Sequence, residues 1–255
     1  MFFCVSTHAI DLFFAIFASG MDSFQFKQFI IQQDRCAMKV GTDGVLLGAW
    51  ADGGTRILDI GTGTGVIALM MAQRFSKAQV MAVEIDGDAC QQARENGAKS
   101  PFKERVSFIH DTIQHFTAEY ERKNCFDCIV CNPPFFENSL KNNNPITSLA
   151  RHNDQLPWGE LVECVNSLIT DNGVFSVILP KDACDKLTEI IYIKGYKEYR
   201  SCKLLTKEGK PCKRILAAFT KNLTRPSYTE QQVLMNNDET RSEWYDSITK
   251  DFYIR

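Results

Sequence analysis

From residue 56 to residue 221, short β-branched runs alternate with stretches of helical periodicity, and this alternation limits the fold more than any other feature of the chain. Two strands separated by a helix-length segment can pair in parallel, because the helix carries the chain back across the face of the sheet. Seven strands are expected, at 56–60 (RILDI), 79–85, 106–111, 126–132, 173–180, 196–205 and 214–221. Helices are expected between them, at 64–75, 87–99, 158–170 and 182–194. Only the turn-like KEGKPCK, with Gly209 and Pro211, joins the last two strands, which are therefore expected to form an antiparallel hairpin at one sheet edge. These spacings predict an α/β, seven-stranded and mostly parallel sheet.

The flanks read differently. Residues 1–20 carry an apolar run interrupted by His8 and Asp11, without a basic n-region, and Leu12 to Ala18 falls far short of the ~20 residues that span a bilayer. This segment is expected to be a non-native or disordered extension ahead of Met21, with a membrane-associating or targeting segment as the alternative. Residues 21–55, with the alternating FQFKQFIIQQ and then KVGTDGVLLGAWA, are expected to cap the sheet. The main domain then runs from 56 to 225, and 226–255 form a C-terminal tail. The polar connection at 137–156 has the length and composition of a substrate loop.

Composition removes some classes. With 44% hydrophobic and 24% charged residues, neither a disordered nor a membrane-embedded chain is supported. Most of the ten cysteines fall inside apolar element-like runs, which favours a reducing cytoplasm over a disulfide framework. Cys125, Cys128 and Cys131 have zinc-like spacing, but a strand would turn Cys128 away from the other two, so no metal is expected.

The first strand ends in DIGTGTGV, which places Gly61, Gly63 and Gly65 in the turn entering a helix, where backbone N–H groups can approach a ligand. A nucleotide-like cofactor is implied. Gly63, Gly65 and Ala68 also satisfy the dinucleotide pattern, so the loop alone leaves NAD open. Glu84 closes the second strand, where a carboxylate can accept ribose hydroxyl protons, and Asp111 closes the third, within reach of an adenine amine. Each acid could instead cap a helix or sit in a turn.

The fourth strand ends in CNPPFFEN. An exocyclic amine conjugated to a ring is a poor nucleophile, and acceptors on its protons help to free the lone pair. Asn132 offers a side-chain oxygen and Pro133 a backbone carbonyl, while the paired prolines restrict the backbone that presents them. Phe135 can stack on a base. An ordinary strand-ending turn is the other reading of this tetrapeptide.

Taken together, DIGTGTG with Asp59, Glu84 and Asp111 resembles the class I S-adenosylmethionine-dependent methyltransferases over roughly residues 39–221. The resemblance implies a doubly wound, Rossmann-like sheet with S-adenosyl-L-methionine as cofactor across the carboxyl ends of the strands, and Asp59 near its methionine moiety. KVGTDGVLLGAWA, CNPPFFENSL and ARHN are most similar to the bacterial tRNA(Val) adenine-N6 methyltransferases that act beside the anticodon. That similarity implies Asp43 on the cofactor side and tRNA as partner, for an enzyme expected to be a cytoplasmic monomer. Phe135 stands where Tyr is frequent in that family, keeping the stacking face without the hydroxyl.

The formal net charge of -2 gives no global attraction to RNA, but residues 194–225 hold ten cations against Glu198 and Glu208, a local +8. The cations are Lys194, Lys197, Arg200, Lys203, Lys207, Lys210, Lys213, Arg214, Lys221 and Arg225, with Tyr196 and Tyr199 interleaved. Phosphate contacts with aromatic stacking are expected there, or else a solvated edge hairpin. Arg151 and His152 are further candidates near the target base. Guanine-N2 methylation of rRNA, glutamine-N5 methylation of protein and a non-enzymatic or NAD-binding Rossmann protein remain alternatives at this level.

Overall fold

The computed structural model describes residues 22–119, 123–133 and 156–254. A small hairpin of β1 (Ser23–Gln25) and β2 (Ile30–Gln32) leads into helix α1 (Thr42–Trp50). The alternating body follows as β3 (Arg56–Ile60), α2 (Val66–Arg74), β4 (Gln79–Glu84), α3 (Gly87–Lys99), β5 (Val106–His110), α4 (Ile113–Glu119) and β6 (Phe126–Cys131). After the polar connection come α5 (Trp158–Leu168), β7 (Ile169–Leu179), α6 (Lys181–Ile193), β8 (Lys197–Leu205), β9 (Cys212–Thr220), β10 (Tyr228–Val233) and α7 (Glu243–Thr249).

The large sheet has eight strands in the order β10-β8-β9-β7-β6-β3-β4-β5. From β5 to β7 all neighbours pair in parallel, β9 is antiparallel to both β7 and β8, and β10 runs parallel to β8. The expected doubly wound sheet is present, with two corrections. It has eight strands rather than seven, and the β8–β9 hairpin is not the edge, because β10 covers it. Strand β10 is YTEQQV, exposed or half-exposed along its length, so it lacks the apolar alternation that marks a strand. Backbone pairing to β8 holds it, and an edge needs no apolar face to be covered in this way.

Helices cover both faces of the sheet. Leu46, Leu47, Leu69 and Met70 from α1 and α2 pack on one face, with Val130 of β6 and Leu216 of β9. On the other, α4, α5 and α6 contribute Phe116, Val165 and Leu187 against Ile129, Phe175 and Phe219. Cys128 lies in the first core and Cys131 in the second, with Cys125 packed against that second core, as strand alternation requires. Helix α4 is only two turns long and was not anticipated from the sequence.

FQFKQFIIQQ is a hairpin rather than one strand, closed where Phe26 N–H donates to Phe29 O at 2.9 Å. The tail returns to it. Phe26 stacks on Tyr253 with ring centroids 6.0 Å apart, and Lys27 N–H donates to Phe252 O at 2.8 Å. Tyr245, Phe252 and Tyr253 are buried, so the two ends of the described chain clasp each other, with β2 packed on α3 and α7 on α1. With β3 to β7 parallel, the residues after Ile60, Glu84, His110, Cys131 and Leu179 gather along one edge, where open α/β sheets bind ligands.

Candidate active site at the carboxyl edge

Strand β3 runs straight into the glycine loop. Gly61, Gly63 and Gly65 have φ of 69°, 54° and 86°, the left-handed region in which a side chain would be strained. The loop is held from below, where the N–H groups of Gly61 and Thr62 donate to Val83 O at 2.9 and 3.2 Å. Above it there is room. A Cβ placed on Gly61 would meet nothing within 4 Å, and one on Gly63 only Cys36 Sγ at 3.9 Å. Gly65 serves packing instead, since its Cβ would lie 3.0 Å from the Phe108 ring.

Asp59 is fully buried. Its Oδ2 accepts from Thr62 Oγ1 at 2.6 Å and from Ala68 N–H at 3.1 Å, so it caps α2, but Oδ1 has no partner. Burial raises its pKa to about 7, opposed by the two hydrogen bonds and reinforced by the charge of Glu84. Glu84 braces the loop: Oε2 accepts from Gly63 N–H at 2.7 Å and Oε1 from Asp86 N–H at 3.0 Å. Asp111 accepts from Thr112 N–H at 2.8 Å through Oδ1, while Oδ2 lies 2.7 Å from His115 Nδ1. That hydrogen bond, with the Asp111 charge, raises the His115 pKa. Three acids thus line three adjacent strand ends.

The catalytic candidate is next to them. Ile60 of β3 and Cys131 of β6 are partners in register, so Gly61 and Asn132 leave the sheet side by side. A Cβ on Gly44 would lie 3.9 Å from Asn132 Nδ2 and 3.5 Å from Val66, which shows the first turns of α1 and α2 converging on Asn132. Asn132 is half-buried and Pro133 buried. Phe135, Arg151 and His152 lie outside the described residues.

Asp43 sits in the first turn of α1, whose N-cap is Gly41, and it accepts from Arg214 Nε at 2.8 Å. Its observed partner is therefore a β9 cation. Sequence reading missed Asn96, a buried amide in α3. It donates to Thr64 O at 2.9 Å and to Gln32 O at 3.0 Å, and it accepts from Gln32 N–H at 2.9 Å, fastening β2 to the glycine loop. Its only signal was a weak helix former in mid-helix. Cys36 was also missed. It is buried beside Gly63, with a pKa raised to about 11 by burial and by the charges of Glu84 and Asp86.

The basic segment needs correction. Tyr196 and Tyr199 are 4% and 3% exposed, so neither can stack on a base. Both rings belong to the cores, and the Tyr199 hydroxyl donates to Asp52. Several cations are also engaged within the fold. Arg200 and Arg225 pair with Asp52, Lys194 with Glu163 and Lys207 with Glu239, and Lys197 donates to the carbonyls of Leu223 and Arg225.

The residues present fit a nucleoside cofactor with an amino-acid tail. An orphaned buried carboxylate oxygen, strained glycines facing open space and carboxylates at adjacent strand ends occur together, and among the described residues no cluster of metal-ligating side chains accompanies them.

Comparison with known proteins gives the same picture. A family model described as a methyltransferase domain matches residues 51–222. A tRNA1(Val) (adenine(37)-N6)-methyltransferase of Bacteroides fragilis is 45% identical, covering 91% of this chain and 98% of its own. Proteins with the same description from Flavobacterium psychrophilum and Tolumonas auensis are 40% and 39% identical, covering 91% and 92% of this chain and 99% and 98% of their own. Among solved structures, a predicted O-methyltransferase from Agrobacterium tumefaciens superposes with a TM-score of 0.65 at 17% identity, over 82% of this chain and 96% of its own, a likeness of fold.

Proposed function

The chain belongs to the tRNA1(Val) (adenine(37)-N6)-methyltransferase family, and from that membership we infer that it methylates the exocyclic N6 of an adenine in tRNA, using S-adenosyl-L-methionine. The observation that carries the mechanism is the register of Asn132 beside the glycine loop. When bound, the cofactor supplies a methyl group on a sulfonium, already activated for displacement.

The residues that would hold it are Asp59, Gly61, Gly63, Glu84 and Asp111. Asp59 Oδ1 offers the acceptor that has no partner within the fold, the loop offers its open backbone, and Glu84 and Asp111 offer carboxylates for hydroxyl and amine protons. Asn132 Oδ1 and the Pro133 carbonyl would each accept an amine proton of the target adenine, which turns its lone pair toward the reaction axis. Fixing both acceptors on a proline-restricted backbone leaves little to reorganise at the moment of transfer. Phe135 would stack on the base. Asp43, through Arg214, would hold the first turn of α1 beside Asn132 rather than touch the cofactor.

The finer reading is that the target adenine lies beside the anticodon, where an unpaired base is presented without opening a duplex. The enzyme would act as a cytoplasmic monomer. Free thiols throughout the described cysteines support a reducing compartment, and no helix among the described residues is long and apolar enough to cross a membrane.

Nucleoside mass analysis of tRNA(Val) incubated with enzyme and cofactor tests the function. N6-methyladenosine is the expected product, absent when adenine 37 of the transcript is replaced by guanine. N2-methylguanosine, or methylated protein glutamine with unmodified tRNA, would replace this assignment by one of its alternatives.

A further inference from the structure

The ten cations of residues 194–225 do not form one patch, because the topology divides them between opposite edges of the sheet. Strand β8 runs in the direction of β7, and β9 returns antiparallel to both. The end of β8, the 206–211 turn and the start of β9 therefore lie at the carboxyl edge, where Ile215 pairs with Leu179 and Cys212 with Leu205. Lys203, Lys207, Lys210, Lys213 and Arg214 belong to this edge. The remaining five, Lys194, Lys197, Arg200, Lys221 and Arg225, belong to the amino edge, near the start of β8, the end of β9 and the loop beyond it.

The two groups are used differently. At the amino edge Arg200 and Arg225 converge on Asp52, Lys197 is spent on backbone carbonyls, Lys194 pairs with Glu163, and Lys221 lies 5.2 Å from the Tyr196 ring centre. At the carboxyl edge Lys203 and Lys210 are exposed, and Lys207 pairs with Glu239, itself an exposed side chain that ions or phosphate can replace. Within 203–214 five cations face one acid, Glu208. This basic rim is also continuous with the active site. Arg214 bonds Asp43, Asp43 adjoins Gly44, and Gly44 is the residue packed beside Asn132. Only β7 and β9 separate β6, which ends at Asn132, from β8, so the rim lies on the order of 10–15 Å away across the strands.

We propose that the β8–β9 turn at the carboxyl edge, with Lys203, Lys207 and Lys210, is the surface that receives the phosphates flanking the target nucleotide, and that the amino-edge cations take no part in RNA binding. This rests on the assignment of tRNA as substrate. Lys203 and Lys210 carry point charges on exposed stems and Lys207 one on a partly buried stem, which suits backbone phosphates of any sequence and leaves base choice to the site beside Asn132.

The test compares two triple substitutions of equal charge in the full chain. One carries Lys203→Gln, Lys207→Gln and Lys210→Gln; the other carries Lys194→Gln, Lys221→Gln and Lys77→Gln at the amino edge, where Lys77 is exposed in the link from α2 into β4. Binding to tRNA(Val) is measured by filter retention between about 50 and 200 mM salt, with KM and kcat from methyl incorporation. The rim variant is expected to lose roughly tenfold or more in affinity and to show a salt slope shallower by about two to three. Its kcat at saturating tRNA and its S-adenosylmethionine affinity should stay within about twofold. The amino-edge variant should match the wild type in every respect. Lys210→Glu, a change at an exposed turn position, is a second check and should weaken tRNA binding severalfold on its own. Normal tRNA affinity in the rim variant, or equal losses in both triples, would overturn the proposal. Failure of the wild-type enzyme to modify any tRNA would instead count against the substrate assignment beneath it.

Discussion

Asp52 lies in the link between α1 and β3 and Asp59 near the far end of β3, and the protein treats them in opposite ways. At the amino edge, Asp52 accepts from the Tyr199 hydroxyl, from Arg225 Nη2 at 2.6 Å and from Arg200 Nη1 at 3.2 Å. Arg200 lies 4.0 Å above the Trp50 ring and Arg225 3.9 Å above that of Tyr199. Asp127, at the same edge, accepts from Thr55 N–H, Thr55 Oγ1 and Arg56 N–H, and these bonds outweigh its desolvation and lower its pKa. Toward the carboxyl edge, Asp59 is more deeply buried, has only two neutral donors and keeps one oxygen unmatched. The amino edge pairs its carboxylates with cations and backbone donors within the fold, although Arg200 Nε there is buried without a partner. The carboxyl edge keeps strain and an unmet acceptor where a ligand can answer them, and binding sites tolerate such costs because the ligand repays them.

Three substitutions probe that contrast, in decreasing order of effect. Gly63→Val puts a β-branched residue at φ 54° and fills the space above the loop. S-adenosylmethionine affinity should fall by at least ~30-fold, because strain and occupied volume act together. Calorimetry showing less than a threefold loss would mean that the loop is not the cofactor cradle.

Asp52→Ala attacks the other edge. It strands two guanidinium groups and a buried phenol, and since the pairs are partly exposed the cost should be about 2 kcal/mol of folding stability. Chemical denaturation measures this, and the turnover of the folded fraction should not change. A catalytic defect without a loss of stability would erase the distinction between the edges.

The smallest effect is one of pH. The folded pKa of Asp59, about 7, lies above the ordinary carboxylate value near 4, so between these values the folded state binds more protons than the unfolded. Its contribution to stability is fully present below about pH 4 and is lost as pH rises through about 7. Asp59→Asn removes the titration, so its melting temperature should decline less between pH 5 and pH 8 than that of the wild type. Parallel curves would show that Asp59 is already ionised in the folded protein at pH 5.

The two edges were also unequally legible in the sequence. Most of the carboxyl edge was readable, because close backbone approach demands glycine at Gly61 and Gly63 and because strand ends announce Glu84, Asp111 and Asn132 through local pattern. The amino edge was opaque. Asp52 is distant in sequence from Tyr199, Arg200 and Arg225 and meets them only because β8 and the loop after β9 pass beside the end of α1. Tyr196 and Tyr199 among lysines looked like a stacking platform, yet they point to opposite faces of a sheet that is covered on both, so each ring is buried in a different core. Strand β10 failed for the opposite reason, since its pairing is made by backbone and its side chains carry no apolar signal. The pairing of Asp43 with Arg214 was hidden as well, because the two lie far apart along the chain and no local pattern connects them.

The central claim is that chemistry resides in Asn132 at the carboxyl edge and in nothing at the amino edge. Asn132→Ala tests it most directly, through single-turnover methylation of tRNA(Val) with cofactor affinity and melting temperature measured on the same preparation. The account predicts a methyl-transfer rate lower by on the order of 100-fold or more, with cofactor affinity and stability close to those of the wild type, since the lost acceptor serves only the target amine. A rate within threefold of the wild type would contradict it.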